Sequence, residues 1–160
     1  MMKNNWKLLN FNLKYIFGIL VIGVICFITS NYFVSICIVN GNSMLPTFKD
    51  GEVLLENKMS KKYNRGDIVV IKKNDLKIIK RIIGCPGDTV IISNGYIYIN
   101  GIKNDDIFIN EPGNLDNKIK LSYNEYVVLG DNRDESIDSR FDEIGIVNRN
   151  EIKGKILNYS

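Results

Sequence analysis

The chain has 160 residues, no histidine and a net charge of +3, and these properties already exclude several classes of protein. Without histidine, neither a Ser-His-Asp or Cys-His catalytic site nor a zinc site with imidazole ligands is possible. Lys3, Lys7 and Lys14 account for the excess charge, because the remaining 18 basic residues match 18 acidic ones. A neutral body argues against nucleic-acid binding, which requires a clustered basic surface. We expect no nucleic-acid partner, no metal and no other cofactor.

The N-terminal part of the chain is a basic arm, residues 1–14, followed by an apolar run over residues 15–34. No charged residue occurs between Lys14 and Lys49. The run approaches the roughly 20 residues that cross a bilayer as a helix, and it is too long for an ordinary buried core helix. A cleaved signal peptide is disfavoured because its apolar core usually has about 7–15 residues. We predict a retained single-pass anchor in membrane lipid, with residues 1–14 cytoplasmic and residues 35–160 outside the cytoplasm.

Residues 35–160 carry the patterns of short strands. Apolar or alternating segments bounded by turn residues predict strands over 35–39, 51–56, 68–71, 76–83, 89–93, 96–99 and 126–129. Asn94-Gly95 between two of them predicts a hairpin with a type I′ turn. Residues 103–120 are polar and loop-like, and no long amphipathic helix follows the anchor. The body is therefore predicted to be mostly antiparallel β.

A serine and a lysine stand out as candidate catalytic residues. Ser43 follows a short strand, between a glycine turn and Pro46, which favours a rigid, exposed hydroxyl. In a strand over 76–83, Lys80 shares its face with Ile78 and Ile82. An apolar face disfavours the charged amine and lowers the pKa of Lys80, and a neutral amine can take a proton from a serine. The ordinary alternatives are a turn serine and a snorkelling surface lysine.

Two further groups of residues leave alternatives open. Residues 130–140 follow the last predicted strand and combine acids, an asparagine, two arginines and two serines, which is also typical of a solvated loop. Asp138 and Arg140 can form an ion pair that shapes this loop. The three cysteines show no paired spacing, so we expect free thiols, although a Cys37–Cys85 disulfide is possible.

Taken together, four segments make the chain resemble the bacterial type I signal peptidases of the Ser/Lys kind. The resemblance lies in residues 41–47, 66–69, 80–88 and 130–140, in that order after an N-terminal anchor, and it covers essentially the whole chain. It implies an antiparallel β-sheet or coiled-barrel catalytic domain over 35–160. It also implies a serine endopeptidase that cleaves signal peptides from exported pre-proteins after small residues at −1 and −3. The short stretch between Asp88 and Gly130 is typical of the compact form seen in many Gram-positive bacteria.

The resemblance assigns roles to single residues. Ser43 would be the nucleophile, with its N–H in the oxyanion hole, and Lys80 the general base. Ser136 would hydrogen-bond the Lys80 amine, Asp138 and Arg140 would hold the loop that carries Ser136, and Met44 would border the pocket for the small substrate side chain.

One departure from the family pattern concerns the oxyanion hole. Gly41 stands where some members carry a hydroxyl residue that completes it, so the second donor is left open, and losing one such donor can cost about 10²–10³ in rate.

Other functions are compatible with parts of this pattern. A self-cleaving repressor of the LexA type is disfavoured by the anchor and by the 130–140 motif. A specialised processing peptidase for one class of exported substrate is an alternative, as is an inactive anchored module that binds exported segments. Intact Ser43, Lys80 and Ser136 argue against the inactive module.

Overall fold

The computed structural model describes residues 3–104 and 109–157, and within them the side chains of all but residues 3–12 and 29–31. Helix α1 runs over Lys3–Phe33 and passes directly into the first strand. Within the part of the chain that the structure describes, no helix combines the length and the apolar character that a membrane crossing requires. This finding differs from the expected span over 15–34, which stays a prediction from the sequence.

Eleven strands follow the helix in the described chain. They are β1 (Val34–Ile38), β2 (Val53–Asn57), β3 (Ile68–Lys73), β4 (Leu76–Gly84), β5 (Thr89–Ser93), β6 (Tyr96–Ile99), β7 (Ile102–Lys103), β8 (Ile119–Lys120), β9 (Glu125–Leu129), β10 (Val147–Asn148) and β11 (Ile152–Leu157). Short 3-10 helices occupy Gly113–Asp116 and Arg133–Glu135. The mostly antiparallel β fold that the sequence predicts is confirmed.

The strands form two antiparallel sheets. The larger has the order β1-β2-β11-β3-β4-β9-β10, and the smaller has the order β7-β6-β5-β8. Both residues of the Asn94-Gly95 turn have positive φ, 51° and 76°, as a type I′ turn requires. The predicted hairpin between β5 and β6 is therefore confirmed.

The end of the chain and part of residues 103–120 differ from the sequence-based prediction. The last predicted strand ends at residue 129, which is wrong, because β11 lies between β2 and β3 inside the larger sheet. Its sequence, IKGKIL, contains two lysines and a glycine, which weaken the strand signal. Gly154 is required there, because a β-carbon would lie 2.6 Å from the side chain of Glu56. Residues 103–120 include β8 and a 3-10 helix, while residues 105–108 lie outside the described chain.

Three apolar clusters pack against the sheets, and two of them hold β3 and β4 in place. One of them packs Val69, Ile71 and Ile82 against Ile78 on the face of β4 that also carries Lys80. A second contains Met44, Ile68 and Val70, with Ile79 of β4 packed against it. Cys26, Cys37 and Cys85 are all free thiols, so the possible Cys37–Cys85 disulfide is not formed.

Candidate active site

The loop that carries Ser43 follows β1 and folds back on itself in two tight turns. The N–H of Leu45 donates to the carbonyl of Asn42 at 3.0 Å, and the N–H of Phe48 donates to the carbonyl of Met44 at 2.9 Å. Gly41 opens the loop at φ +83°, a conformation that other residues rarely adopt. These bonds hold Ser43 half-buried at the surface of the sheet.

Lys80 lies opposite this loop, on β4. Its side chain is only 3% exposed, and its Nζ lies 2.7 Å from Ser43 Oγ, which accepts a hydrogen bond from it. Strand alternation places the amine on the face shared with Ile78 and Ile82, as the sequence predicts. The structure thus brings the two candidate catalytic residues, 37 positions apart in the chain, into direct contact.

Burial controls the protonation of Lys80. Loss of hydration lowers the pKa of Lys80 from 10.5 to about 8, because the charged amine is the form that water stabilises. The carboxylates of Asp138 and Asp131 act in the opposite direction, while the Arg140 guanidinium adds to the lowering. A lysine with this pKa has a substantial neutral fraction near neutral pH, and only the neutral amine can accept a proton.

The main-chain N–H groups around Ser43 decide what can stabilise an oxyanion. The N–H of Gly41 is occupied, because it donates to Asp50 Oδ1 at 2.7 Å. Within residues 3–104 and 109–157, the N–H of Ser43 donates to no acceptor. One free donor next to the hydroxyl is therefore the N–H of Ser43 itself.

Ser136 is close to Ser43 but makes no contact of the expected kind. Its side chain is buried, and its Oγ has no hydrogen-bond partner in the described part of the chain. A β-carbon at Gly130 would overlap Ser136 Oγ and the carbonyl oxygen of Ser43, so the hydroxyl packs against the backbone of Gly130. Among the described residues, the expected hydrogen bond from Ser136 to the Lys80 amine is not made.

Asp138 and Arg140 form the ion pair that the sequence analysis considered, and both are almost fully buried. Arg140 Nε lies 2.8 Å from Asp138 Oδ1. Arg140 Nη2 also donates to the carbonyls of Arg133 and Ser136, at 2.6 and 3.1 Å. Asp138 Oδ2 accepts from the N–H of Gly130 at 3.0 Å. The pair therefore fixes the backbone on both sides of the loop that carries Ser136.

A second ion pair, which the sequence analysis did not identify, fastens the Ser43 loop. Arg81 points to the opposite face from Lys80 and binds Asp131 through two bonds, Nε–Oδ1 at 2.7 Å and Nη2–Oδ2 at 2.6 Å. Thr47 Oγ1 donates to Asp131 Oδ2 at 2.5 Å, and the N–H of Asn132 donates to the carbonyl of Ser43 at 3.0 Å. Arg81 lies in the 80–88 segment and Asp131 in the 130–140 segment, and this is the only indication of the pair in the sequence. Their pairing depends on the contact between β4 and β9.

Met44 lies at the edge of a small cavity beside the Ser43–Lys80 pair. The side chain is 1% exposed and belongs to the core. The cavity has a volume of about 70 Å³ and is lined by Ile38, Val39, Asn40, Ser43, Met44, Lys77, Ile78, Ile79 and Lys80. This space opens directly beside the Ser43 hydroxyl.

The site places a serine hydroxyl in contact with a buried amine. The family model described as signal peptidase, peptidase S26, matches residues 12–159. The chain belongs to the signal peptidase family. The match includes all the residues of the site described above, together with β11.

Two relatives in this family come from Bacillus subtilis and Staphylococcus aureus. The chain is 34% identical over 157 residues to signal peptidase I S of Bacillus subtilis, with 86% of this chain and 82% of the relative covered. It is 35% identical over 170 residues to signal peptidase IB of Staphylococcus aureus, with 90% and 86% covered. A crystal structure of a signal peptidase I from Enterococcus faecalis V583 matches with 29% identity and a TM-score of 0.49, covering 61% of this chain and 98% of that one.

Nothing in the described site is arranged as a metal centre. Among the described residues, no group of three or more cysteine, aspartate and glutamate side chains is placed to hold a metal ion.

Proposed function

We propose that this member of the signal peptidase family is a serine endopeptidase that removes signal peptides from exported pre-proteins, with Ser43 as nucleophile and Lys80 as general base. The observation that carries the proposal is the 2.7 Å contact between the Ser43 hydroxyl and the buried Lys80 amine. A serine is a weak nucleophile unless an adjacent base removes its proton, and the pKa of about 8 allows Lys80 to be that base.

The reaction divides into two proton-balanced stages. The neutral Lys80 amine takes the Ser43 proton while Oγ attacks the scissile carbonyl, and the free N–H of Ser43 stabilises the resulting oxyanion. Lys80 then returns the proton to the leaving amine, and the new N-terminus of the mature protein departs. In the second stage Lys80 takes a proton from a water molecule, whose oxygen attacks the acyl carbonyl. The acyl–Oγ bond then breaks, the Lys80 ammonium returns that proton to Ser43 Oγ, and the signal peptide leaves with a free carboxylate.

An extended substrate fits the open edges of the sheet beside this pair. β4 pairs with β9 through Arg81, Ile82 and Gly84, so in the described chain residues 76–80 have a strand partner, β3, on one side. β1 pairs with β2 and is an edge of the larger sheet. An extended peptide can hydrogen-bond to such edges, which sends its alternate side chains toward the same face.

The small cavity predicts the specificity for the residue before the scissile bond. A pre-protein with phenylalanine at −1 is expected to be cleaved about 100-fold less efficiently than one with alanine, since the larger side chain does not fit a space of about 70 Å³. Purified full-length protein in detergent, incubated with the two pre-proteins, gives the ratio of kcat/KM. Equal cleavage of both would exclude this cavity as the −1 pocket, and no cleavage of either would remove the proposed function.

The pKa of Lys80 predicts the pH dependence. Because the neutral amine is the active form, kcat/KM is expected to rise about tenfold per pH unit below pH 8 and to level off above it. The measurement is initial cleavage rate between pH 6 and pH 10. Lys153→Gln, which removes an exposed amine on β11, should leave the curve unchanged. A flat profile between pH 6 and pH 9 would contradict the assignment of Lys80.

The location of the protein is part of the same proposal. Residues 1–14 would lie in the cytoplasm, residues 15–34 would anchor the chain in membrane lipid, and residues 35–160 would form the catalytic domain outside. The charge asymmetry of Lys3, Lys7 and Lys14 supports this orientation. Ser43 follows the end of α1 by ten residues, which keeps it within at most ~36 Å of that point. A tether of this length would hold the active site near a substrate whose apolar core remains in the bilayer.

A further inference from the structure

A second lysine, Lys77, lies at the cleft that contains Ser43 and Lys80, and it forms an ion pair there. This residue lies three positions before Lys80 on β4 and lines the same cavity. Its side chain is 53% exposed, in contrast to that of Lys80, and its Nζ lies 3.5 Å from Glu56 Oε2. The catalytic mechanism above makes no use of this ammonium group.

The partner of Lys77 is a buried carboxylate held rigidly between two strands. Glu56 of β2 is 1% exposed and stands opposite Ser35 of β1, whose Oγ donates to Glu56 Oε2 at 2.8 Å. Its other oxygen, Oε1, is buried and accepts no hydrogen bond from any described residue. Glu56 therefore fixes the position of Lys77 at the cleft, but it cannot occupy all three donors of the ammonium group.

The Ser43–Lys80 contact and the Lys77–Glu56 ion pair together define the direction in which a substrate would cross the cleft. Ser35 and Glu56 lie near the end of α1 at Phe33, whereas Ser43 lies further along the chain beyond β1. A substrate whose N-terminal segment starts beside α1 would meet Lys77 before it meets Ser43. Three strand residues separate Lys77 from Lys80, which corresponds to about 10 Å, or three residues of an extended substrate.

We propose that Lys77 is a specificity residue that contacts the substrate side chain at −4 and selects against positive charge there. This inference rests on the proposed function, because it concerns the substrate of that same site. Strand alternation sends the side chains of Lys77 and Lys80 to opposite sides of β4, and both border the cavity because, in the described chain, this part of β4 has no partner on its β9 side. The side chains at −4 and −1 likewise leave an extended substrate on opposite sides. An acidic or amide side chain at −4 can accept the unused donors of Lys77, while lysine or arginine is repelled.

The test compares substrates within one enzyme, so that differences in folding cancel. Three versions of one pre-protein carry Glu, Gln or Lys at −4 and alanine at −1. For the unaltered enzyme, kcat/KM is expected to be about 5- to 10-fold higher for Glu than for Lys, as attraction between partly exposed charges is replaced by repulsion. Lys77→Gln should reduce this ratio to about 1–2. Glu56→Gln should increase it, because Lys77 then loses its neutralising partner while the shape of the buried side chain is kept.

Lys72→Gln is the matched control. Lys72 is an exposed lysine directly opposite Lys77 in the β3–β4 pairing, and it does not line the cavity. The inference would be overturned if the Glu-to-Lys ratio of kcat/KM were near 1 in the unaltered enzyme. It would also be overturned if Lys77→Gln left this ratio unchanged, or if Lys72→Gln lowered it as much as Lys77→Gln does. If the Gln substrate is cleaved, any such result leaves the proposed function intact. If no version is cleaved, the proposed function fails and the inference with it.

Discussion

Replacing Lys80 with arginine is expected to reduce cleavage of a pre-protein by about 10⁴-fold or more, the same loss that we expect from Ser43→Ala. Arginine keeps the positive charge and the length of the side chain, but it does not deprotonate in the working pH range and cannot act as a base. The two losses should not add in the double variant, because the hydroxyl and the amine act as one unit. The measurement is single-turnover cleavage by purified full-length protein, with circular dichroism to confirm that each variant is folded.

Lys80→Met separates catalysis from folding. At pH 7 the unaltered protein holds a charged amine in a site that lowers the pKa of Lys80 to about 8, so charge burial costs about 3 kcal/mol of folding free energy below pH 8. This cost disappears as the pH rises toward the unfolded-state pKa of about 10.4. Lys80→Met is therefore expected to be inactive and yet about 1–3 kcal/mol more stable at pH 7, with the advantage shrinking above pH 8. Near-normal cleavage by Lys80→Arg would show that Lys80 is not the base.

Asp138→Ala is expected to destabilise the fold by about 3–5 kcal/mol, measured by denaturant unfolding of the full-length protein in detergent. The substitution leaves the guanidinium of Arg140, which is 2% exposed, buried without its counter-charge. It also leaves the N–H of Gly130 without its acceptor. Glu143→Ala removes an exposed carboxylate from the same region and should change stability by no more than about 0.5 kcal/mol.

A double-mutant cycle distinguishes this ion pair from general packing. Arg140→Met should also destabilise, because the carbonyls of Arg133 and Ser136 lose a donor. The double variant should be less destabilised than the sum of the two single variants, by at least about 1 kcal/mol, since neither charge is then left alone. Additive effects would mean that Asp138 and Arg140 contribute independently.

Local patterns in the sequence predicted the elements that carry the chemistry. Strand alternation placed Lys80 among Ile78 and Ile82, and the Asn94-Gly95 turn predicted the β5–β6 hairpin. Both depend on neighbours within a few residues, so a periodicity of two or a turn preference is sufficient. The pairing of Asp138 with Arg140 also lies within three positions of the chain.

Features that depend on distant parts of the chain could not be predicted in this way. The Arg81–Asp131 pair joins residues 50 positions apart, and no local pattern shows that these charges meet. The position of the Ser136 hydroxyl depends on how closely Gly130 approaches Ser43. β11 was missed because its two lysines and its glycine resemble a polar segment, although its alternate residues are buried between β2 and β3.

The central position of β11 determines when during synthesis the larger sheet can be completed. In the hydrogen bonding of the larger sheet, β11 is the strand that links β1 and β2, which lead into the Ser43 loop, to β3 and β4, the second of which carries Lys80. A ribosome makes β11 last among the described strands, and Asp131 and Asn132, which fasten the Ser43 loop, also come late. A growing chain that has not reached β11 therefore lacks the strand that joins the Ser43 loop to the strands with Lys80. We expect the contact between Ser43 and Lys80 to form only once β11 has been added to the sheet.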